Sequence, residues 1–200
     1  MRKTPLCILL TGLHGLPGKS TSGVVLEQQL SDVGSLLMPF DGYHIPKATL
    51  EMLPNALDAI WRRGAPDTFD AQALIRDLDR IRNGNEPVVK IPGFDHAMGD
   101  PENAKHEFRR SEHKIVLCEG LYLLHDENGW ETVKDFFDIS VFVEADIDRC
   151  MQRLKIRNRC IPGYTPEEID HRVDVVDRVN ALIVDKSKSR ADLIVPGAVF

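Results

Sequence analysis

The chain contains no apolar run approaching the ~20 residues that a membrane-spanning helix requires, so no membrane partner is expected. Charge of neither sign gathers into a block. The 25 Lys and Arg against 31 Asp and Glu leave a net charge of −6, which counts against a nucleic-acid-binding surface. Cysteine is scarce: the four residues, at 7, 118, 150 and 160, show neither CxxC nor Cys/His metal spacing. That excludes a zinc site and a disulfide framework as organising devices and suits a reducing compartment, with cytoplasmic localisation expected. Met1 to Pro5 precede the expected first strand directly, so no signal peptide is expected. Internal repeats and low-complexity segments are also absent, and nothing fixes an oligomeric state. The 200 residues, 42% hydrophobic and 28% charged, have the composition and size of one globular domain.

Against these absences one stretch stands out. Leu6 to Thr11, LCILLT, reads as a buried strand. Gly12, Gly15 and Gly18 follow, then Lys19-Ser20-Thr21 and a segment with weak helical spacing. Strand, glycine-rich turn, Lys-Ser/Thr and helix start form a phosphate-binding loop, in which main-chain N–H groups and the positive helix end hold the phosphates of a nucleotide. Gly15, Gly18, Lys19, Ser20 and Thr21 are the expected nucleotide contacts, with Lys19 at the β/γ-phosphates and the Ser20 hydroxyl on Mg²⁺. The common G-x-x-x-x-G-K-[ST] spacing would place glycine at 13, where Leu13 stands. The extra residue adds about 3.3–3.6 Å of chain, so a bulge is expected at Leu13-His14. Pro17 removes one N–H donor from the turn.

Along the chain, further strands are expected at 35–40, 86–91, 114–118, 137–143 and 191–195. The first of the middle pair should break at Pro92-Gly93. Helices are expected at 20–30, 49–61, 70–83, 129–135, 146–159 and 166–188, the 70–83 helix capped by Asp70 and the last by Thr165. Residues 97–111 read as exposed loop. Apolar strands alternating with helices imply a parallel sheet covered on both faces, with ligand beyond the carboxyl ends of its strands.

That rule selects residues. The 35–40 strand delivers Asp41, and the 114–118 strand delivers Glu119. Either acid alone reads equally as a turn former or cap. Beside a phosphate-binding loop, Asp41 is placed to take the proton of an acceptor hydroxyl, and Glu119 to hold Mg²⁺. Arg149, Arg153 and Arg157 repeat every four residues and so share one helix face. With Cys160-Ile161-Pro162-Gly163 as a hinge behind them, they suit a lid over the transferred charge, the alternative being a solvated basic face. The loops at 42–66 and 92–110 should line the acceptor pocket, bringing Tyr43, His44, Arg63, Asp95 and His96 toward it. Trp61-Arg62-Arg63 reads equally as a surface cluster, and the remaining histidines suggest no role.

Assembled in this order, GKST (18–21), FDGYH (40–44), RRGAPDTFD (62–70), PGFDH (92–96), CEGLYLL (118–124), FDISVFVEAD (137–146) and the arginine helix resemble the uridine kinase, phosphoribulokinase and pantothenate kinase group. The similarity is nearest to its small bacterial sugar-kinase-like and fungal ATP-dependent kinase-like members and covers nearly the whole chain. It implies a three-layer P-loop NTPase fold with a mainly parallel five-stranded sheet and a small helical lid at about 146–165. It also implies Asp41 as base, Glu119 at Mg²⁺ and Arg153 and Arg157 in the lid, with Gly64 to Asp70 shaping the acceptor side. The expected activity is ATP-dependent phosphorylation of a small-molecule hydroxyl on a sugar, nucleoside, vitamin precursor or specialised metabolite. The alternative is a nucleotide-binding regulator that keeps the fold with little or no transfer. A guanine-selective switch is disfavoured, because no N-K-x-D segment occurs.

Overall fold

The most apolar stretches become the middle of one sheet. The computed structural model describes residues 4–13, 19–161 and 163–197, with backbone alone at 19 and 20. In chain order it contains β1 (Leu6–Gly12), α1 (Lys19–Gln29), β2 (Ser35–Pro39), α2 (Lys47–Leu50), α3 (Ala56–Trp61) and α4 (Ala71–Arg82). Then come β3 (Val88–Asp95), β4 (Asp100–Arg109), β5 (Ile115–Gly120), β6 (Ile139–Glu144) and α5 (Ile147–Asn158). The chain finishes with α6 (Pro166–Arg172), α7 (Arg178–Lys186) and β7 (Leu193–Pro196).

The main sheet has the order β2-β5-β1-β6-β7, and all four pairings are parallel. Side chains alternate between its faces. Leu9, Met38, Val116, Cys118 and Phe142 point to one side, where Leu74, Leu78 and Ile81 of α4, Met151 and Leu154 of α5, and Ala181 and Val184 of α7 complete a core of buried side chains. Leu37, Leu117 and Glu119 point to the other side, against α1. A Cβ on Gly23 of α1 would lie 3.1 Å from Leu37 Cδ1 and 3.9 Å from the Glu119 Cβ. Edge strand β2 is covered by the same helix: Leu37 N–H donates to Glu27 Oε1 at 2.6 Å, and Ser35 Oγ donates to Glu27 O at 2.8 Å. An acceptor that close leaves less open ladder for another chain to join.

Helix α4 follows its sequence pattern: Asp70 Oδ1 accepts from Ala73 N–H at 2.8 Å, and Leu74, Leu78 and Ile81 are buried. Cys7, Cys118 and Cys150 are buried free thiols, whereas Cys160 is exposed.

Five expectations are corrected. Residues 97–111 are not a loop, because most of them form β4, antiparallel to β3 in a separate two-stranded sheet. The sequence hides this strand because only Phe108 is buried along it, so no apolar alternation marks it. Strand β3 runs on past Pro92 to Asp95, since a register shift between Ile91 and Gly93 absorbs the residue that cannot donate. The 49–61 segment is two short helices, and 129–135 yields only a 3₁₀ turn at Val133–Phe136. The helix at 166–188 begins with a Thr165/Glu168 capping box but widens into a π turn at Val173–Asp177 between α6 and α7.

Candidate active site

Strand register brings three carboxyl ends together. Glu119 of β5 pairs with Leu10 of β1 on one side and Pro39 of β2 on the other, and Gly120 pairs with Thr11. The chain therefore leaves β1 toward the glycine-rich turn beside Glu119, while β2 passes Pro39 into a 3₁₀ turn at Phe40–Tyr43 that carries Asp41. Gly120 permits this approach: a Cβ there would lie 2.4 Å from the Phe40 Cβ. Gly42 does the same on the hairpin side, where a Cβ would meet Pro92 O at 2.5 Å. Thr11 Oγ1 donates to Leu121 O at 2.9 Å and ties the ends of β1 and β5.

Asp41 is half-buried, and among the described residues its carboxylate has no hydrogen-bond or ion-pair partner. A carboxylate so placed keeps its lone pairs for a ligand. Gly15, Gly18, Pro17 and most of the expected bulge at Leu13-His14 lie outside the described residues, as do the side chains of Lys19 and Ser20. Leu13 itself is buried, α1 begins at Lys19, and Thr21 is exposed in its first turn. No cluster of three or more metal-ligating side chains occurs among the described residues. Mg²⁺ takes one or two protein oxygens and fills its shell with water and substrate phosphates. Glu119 and Ser20 are the residues that would hold it.

On α5 the buried side is Cys150, Met151 and Leu154, and Arg149, Arg153 and Arg157 are exposed on the other. Arg157 Nε donates to Asn158 Oδ1 at 3.3 Å. The helix is tethered to its successors by Lys155–Asp174 at 2.7 Å, Arg178–Asp148 at 2.7 Å and Arg159–Asp170 at 3.1 Å. The hinge proline, Pro162, lies outside the described residues.

Between the Asp41 turn, the β3–β4 hairpin and the α5–α6 connection lies a cavity of about 430 Å³, lined by His44, Arg63, Phe94, Tyr164 and Arg172 among others. Burial holds His44 below the ordinary imidazole range, so the ring is neutral. Its Nδ1 lies 2.9 Å from Asp41 O, a carbonyl that can only accept, so Nδ1 carries the proton and Nε2 is left as an acceptor. The two arginines are committed to the protein. Arg63 donates to Asp100 Oδ1 at 2.6 Å, Ile45 O at 3.3 Å and Gly99 O, and Arg172 donates to Arg63 O at 2.8 Å and Asp177 Oδ2 at 3.3 Å. Arg63 thus braces the hairpin against α3 and has its charge matched by Asp100, so an anionic acceptor finds little spare charge there.

Tyr43, Asp95 and His96 are placed differently from His44. Tyr43 is buried, and its hydroxyl donates to Asp77 Oδ2 at 2.9 Å, which together with burial pushes its pKa well up. Tyr43→Phe is expected to cost about 1.5–3 kcal/mol of stability and to leave acceptor KM unchanged, checked by urea unfolding beside an acceptor titration. The Asp95 carboxylate accepts from Ala97 N–H at 2.8 Å and Met98 N–H at 3.1 Å, holding the hairpin turn, and these bonds keep its pKa low. His96 is exposed at that turn, edge-on to Phe94 at 5.3 Å. Arg172 and Asp100 were not anticipated from sequence. The only cue to Asp100 was its place in a segment that read as loop, and Arg172 belongs to no motif.

His44, His106, His113 and His125 are all held below the imidazole value of 6.5, chiefly by burial. The unfolded chain therefore binds these protons more readily than the folded one. Their contribution to stability is present above that value and is lost as pH falls below it. Thermal melts should show a lower Tm at pH 5.5 than at pH 7.5.

Residues 47–199 match the phosphoribulokinase / uridine kinase family. Among curated proteins, an ATP-dependent kinase-like protein, notR′ of Aspergillus versicolor, is 34% identical over 162 residues, 78% of this chain and 93% of the relative. Among solved structures, a candidate fructose transport system kinase from Silicibacter sp. TM1040 superposes with a TM-score of 0.85 at 28% identity, covering 98% of this chain and 91% of that one. Phosphoribulokinase from Rhodobacter spheroides superposes at 0.67 with 14% identity, covering 97% and 70% respectively, and shares the fold.

Proposed function

The chain belongs to the phosphoribulokinase / uridine kinase family, and from that premise we propose that it transfers the γ-phosphoryl group of Mg-ATP to a hydroxyl of a small, uncharged metabolite. The observation that carries the reading is the strand register, which puts the start of the glycine-rich turn, Asp41 and Glu119 at adjacent carboxyl ends of β1, β2 and β5. Main-chain amides from Gly15 to Thr21 and the Lys19 ammonium bind the triphosphate. Ser20 and Glu119 hold Mg²⁺, which neutralises phosphate charge when bound. Asp41 accepts the proton of the acceptor hydroxyl as that oxygen bonds to phosphorus and the bridging oxygen departs with ADP. Arg153 and Arg157 offset the charge spread over the transferring group. Most of the rate comes from positioning and electrostatics.

The acceptor pocket supports a sugar or nucleoside over a carboxylate. Its two half-buried arginines already face protein acceptors, while neutral His44 offers an acceptor atom and Phe94 an apolar wall. Arg63 acts here as a brace. His96, exposed and edge-on to Phe94, is assigned to a longer acceptor.

ADP release measured with Mg-ATP across neutral sugars and nucleosides and across hydroxy acids tests this. Turnover confined to neutral acceptors supports the proposal. Tight Mg-ATP binding by calorimetry with no ADP release for any acceptor would overturn it and favour the nucleotide-binding regulator.

A further inference from the structure

A larger cavity, of about 770 Å³, lies across two walls from the acceptor pocket. Arg62 lines it where neighbouring Arg63 lines the pocket, and Val176 lines it where Val173 lines the pocket. The volume suits a small organic ligand. Phe69, Trp130, Val176 and Ile183 give it an apolar lining.

Three polar side chains in that lining are more than nine-tenths buried: Ser187, whose hydroxyl donates to Val184 O at 2.7 Å, His125, 8% exposed, and Asn180, 6% exposed. His125 and Asn180 differ from Ser187. Among the described residues neither has a side-chain hydrogen-bond partner. Their polar atoms are therefore not used up by the protein and remain able to bond a ligand. Only Arg63 Nε, among the described residues, is both sealed from solvent and unbonded. The polar atoms of His125 and Asn180 therefore open onto the cavity.

Charge in the lining is matched except at Asp126. Arg62 holds Asp67 through two bonds of 2.9 Å, and Lys186 pairs with Glu127 at 3.1 Å. Asp126 adds an acid to the same lining, which disfavours anions. Burial keeps His125 neutral, with one ring nitrogen donating and the other accepting.

We propose that this cavity is a second small-molecule site, distinct from the acceptor pocket, for an uncharged ligand with a flat apolar body and a hydrogen-bonding edge such as a carboxamide. Asn180 pairs with that edge, His125 supplies a further donor or acceptor, and Phe69 and Ile183 pack the body. The proposal stands independently of phosphoryl transfer.

The test is a charge series of near-identical shape, benzamide, benzoate and benzamidinium, titrated into the full chain by ligand-observed NMR. Benzamide should bind at about millimolar strength, about fivefold or more tighter than either ion. Asn180→Leu should weaken it about tenfold with Tm little changed, because the amide makes no bond within the protein and is replaced by an apolar group of similar size. Val179→Trp, at a half-exposed position in the lining, should block the cavity without touching the core and decides the matter if the first variant fails to fold. Benzamide failing to bind at about 10 mM, equal binding of all three probes, or benzamide affinity retained in both variants would overturn the site.

Discussion

Asp41→Asn is expected to lower phosphoryl transfer by about 10²–10⁴-fold while leaving Mg-ATP affinity within about twofold. The substitution is nearly isosteric and removes only the ability to take a proton. The Asp41 carboxylate supports no neighbour among the described residues, so its loss should not disturb the fold. The bond to the His44 ring comes from the Asp41 main-chain oxygen, which asparagine retains. Calorimetry with Mg-ATP and single-turnover kinetics with acceptor read the two quantities separately. Transfer at the wild-type rate would remove Asp41 as the base and move the search to another group near the pocket.

Lys19→Ala should be more severe still, because the proposed mechanism gives the ammonium a part in both binding and chemistry. It stands at the first residue of α1, where the positive end of the helix already favours anions. Loss of the cation proposed for the β/γ-phosphates should raise the Kd for ATP and reduce transfer by at least about 10³-fold. The thermal shift normally produced by added Mg-ATP should shrink accordingly. A Lys19→Ala enzyme with ordinary turnover would mean that the glycine-rich turn does not hold the triphosphate.

The framework was legible where burial is two-sided. Strands β1, β5 and β6 are apolar in most positions because helices or loops cover them, and α4 announces itself through Leu74, Leu78, Ile81 and the Asp70 cap. The hairpin was not legible, since β4 exposes most of its side chains and is held by backbone pairing, which leaves no trace in hydropathy. At the candidate site, FDGYH marked a turn but could not separate its faces. His44 lines the pocket while Tyr43, its neighbour, turns into the core toward Asp77. Arg62 and Arg63 likewise looked alike in sequence. One pairs outward with Asp58 and Asp67, and the other reaches inward to Asp100. His125 and Asn180 share no spacing rule, being 55 residues apart, and only the fold brings them into one lining.

The π turn between α6 and α7 restricts how this chain can change in length. Arg172 and Asp177 are five positions apart yet ion-paired, whereas in an α-helix such residues point about 140° away from each other. Deleting one residue from 173–177 would regularise the backbone and swing everything downstream by about 100°, taking Ala181 and Val184 off the sheet. Insertions and deletions should therefore be tolerated in the hairpin turn at 96–99 and rejected here, so that the number of residues from Arg172 to Val184 behaves as an invariant of the molecule.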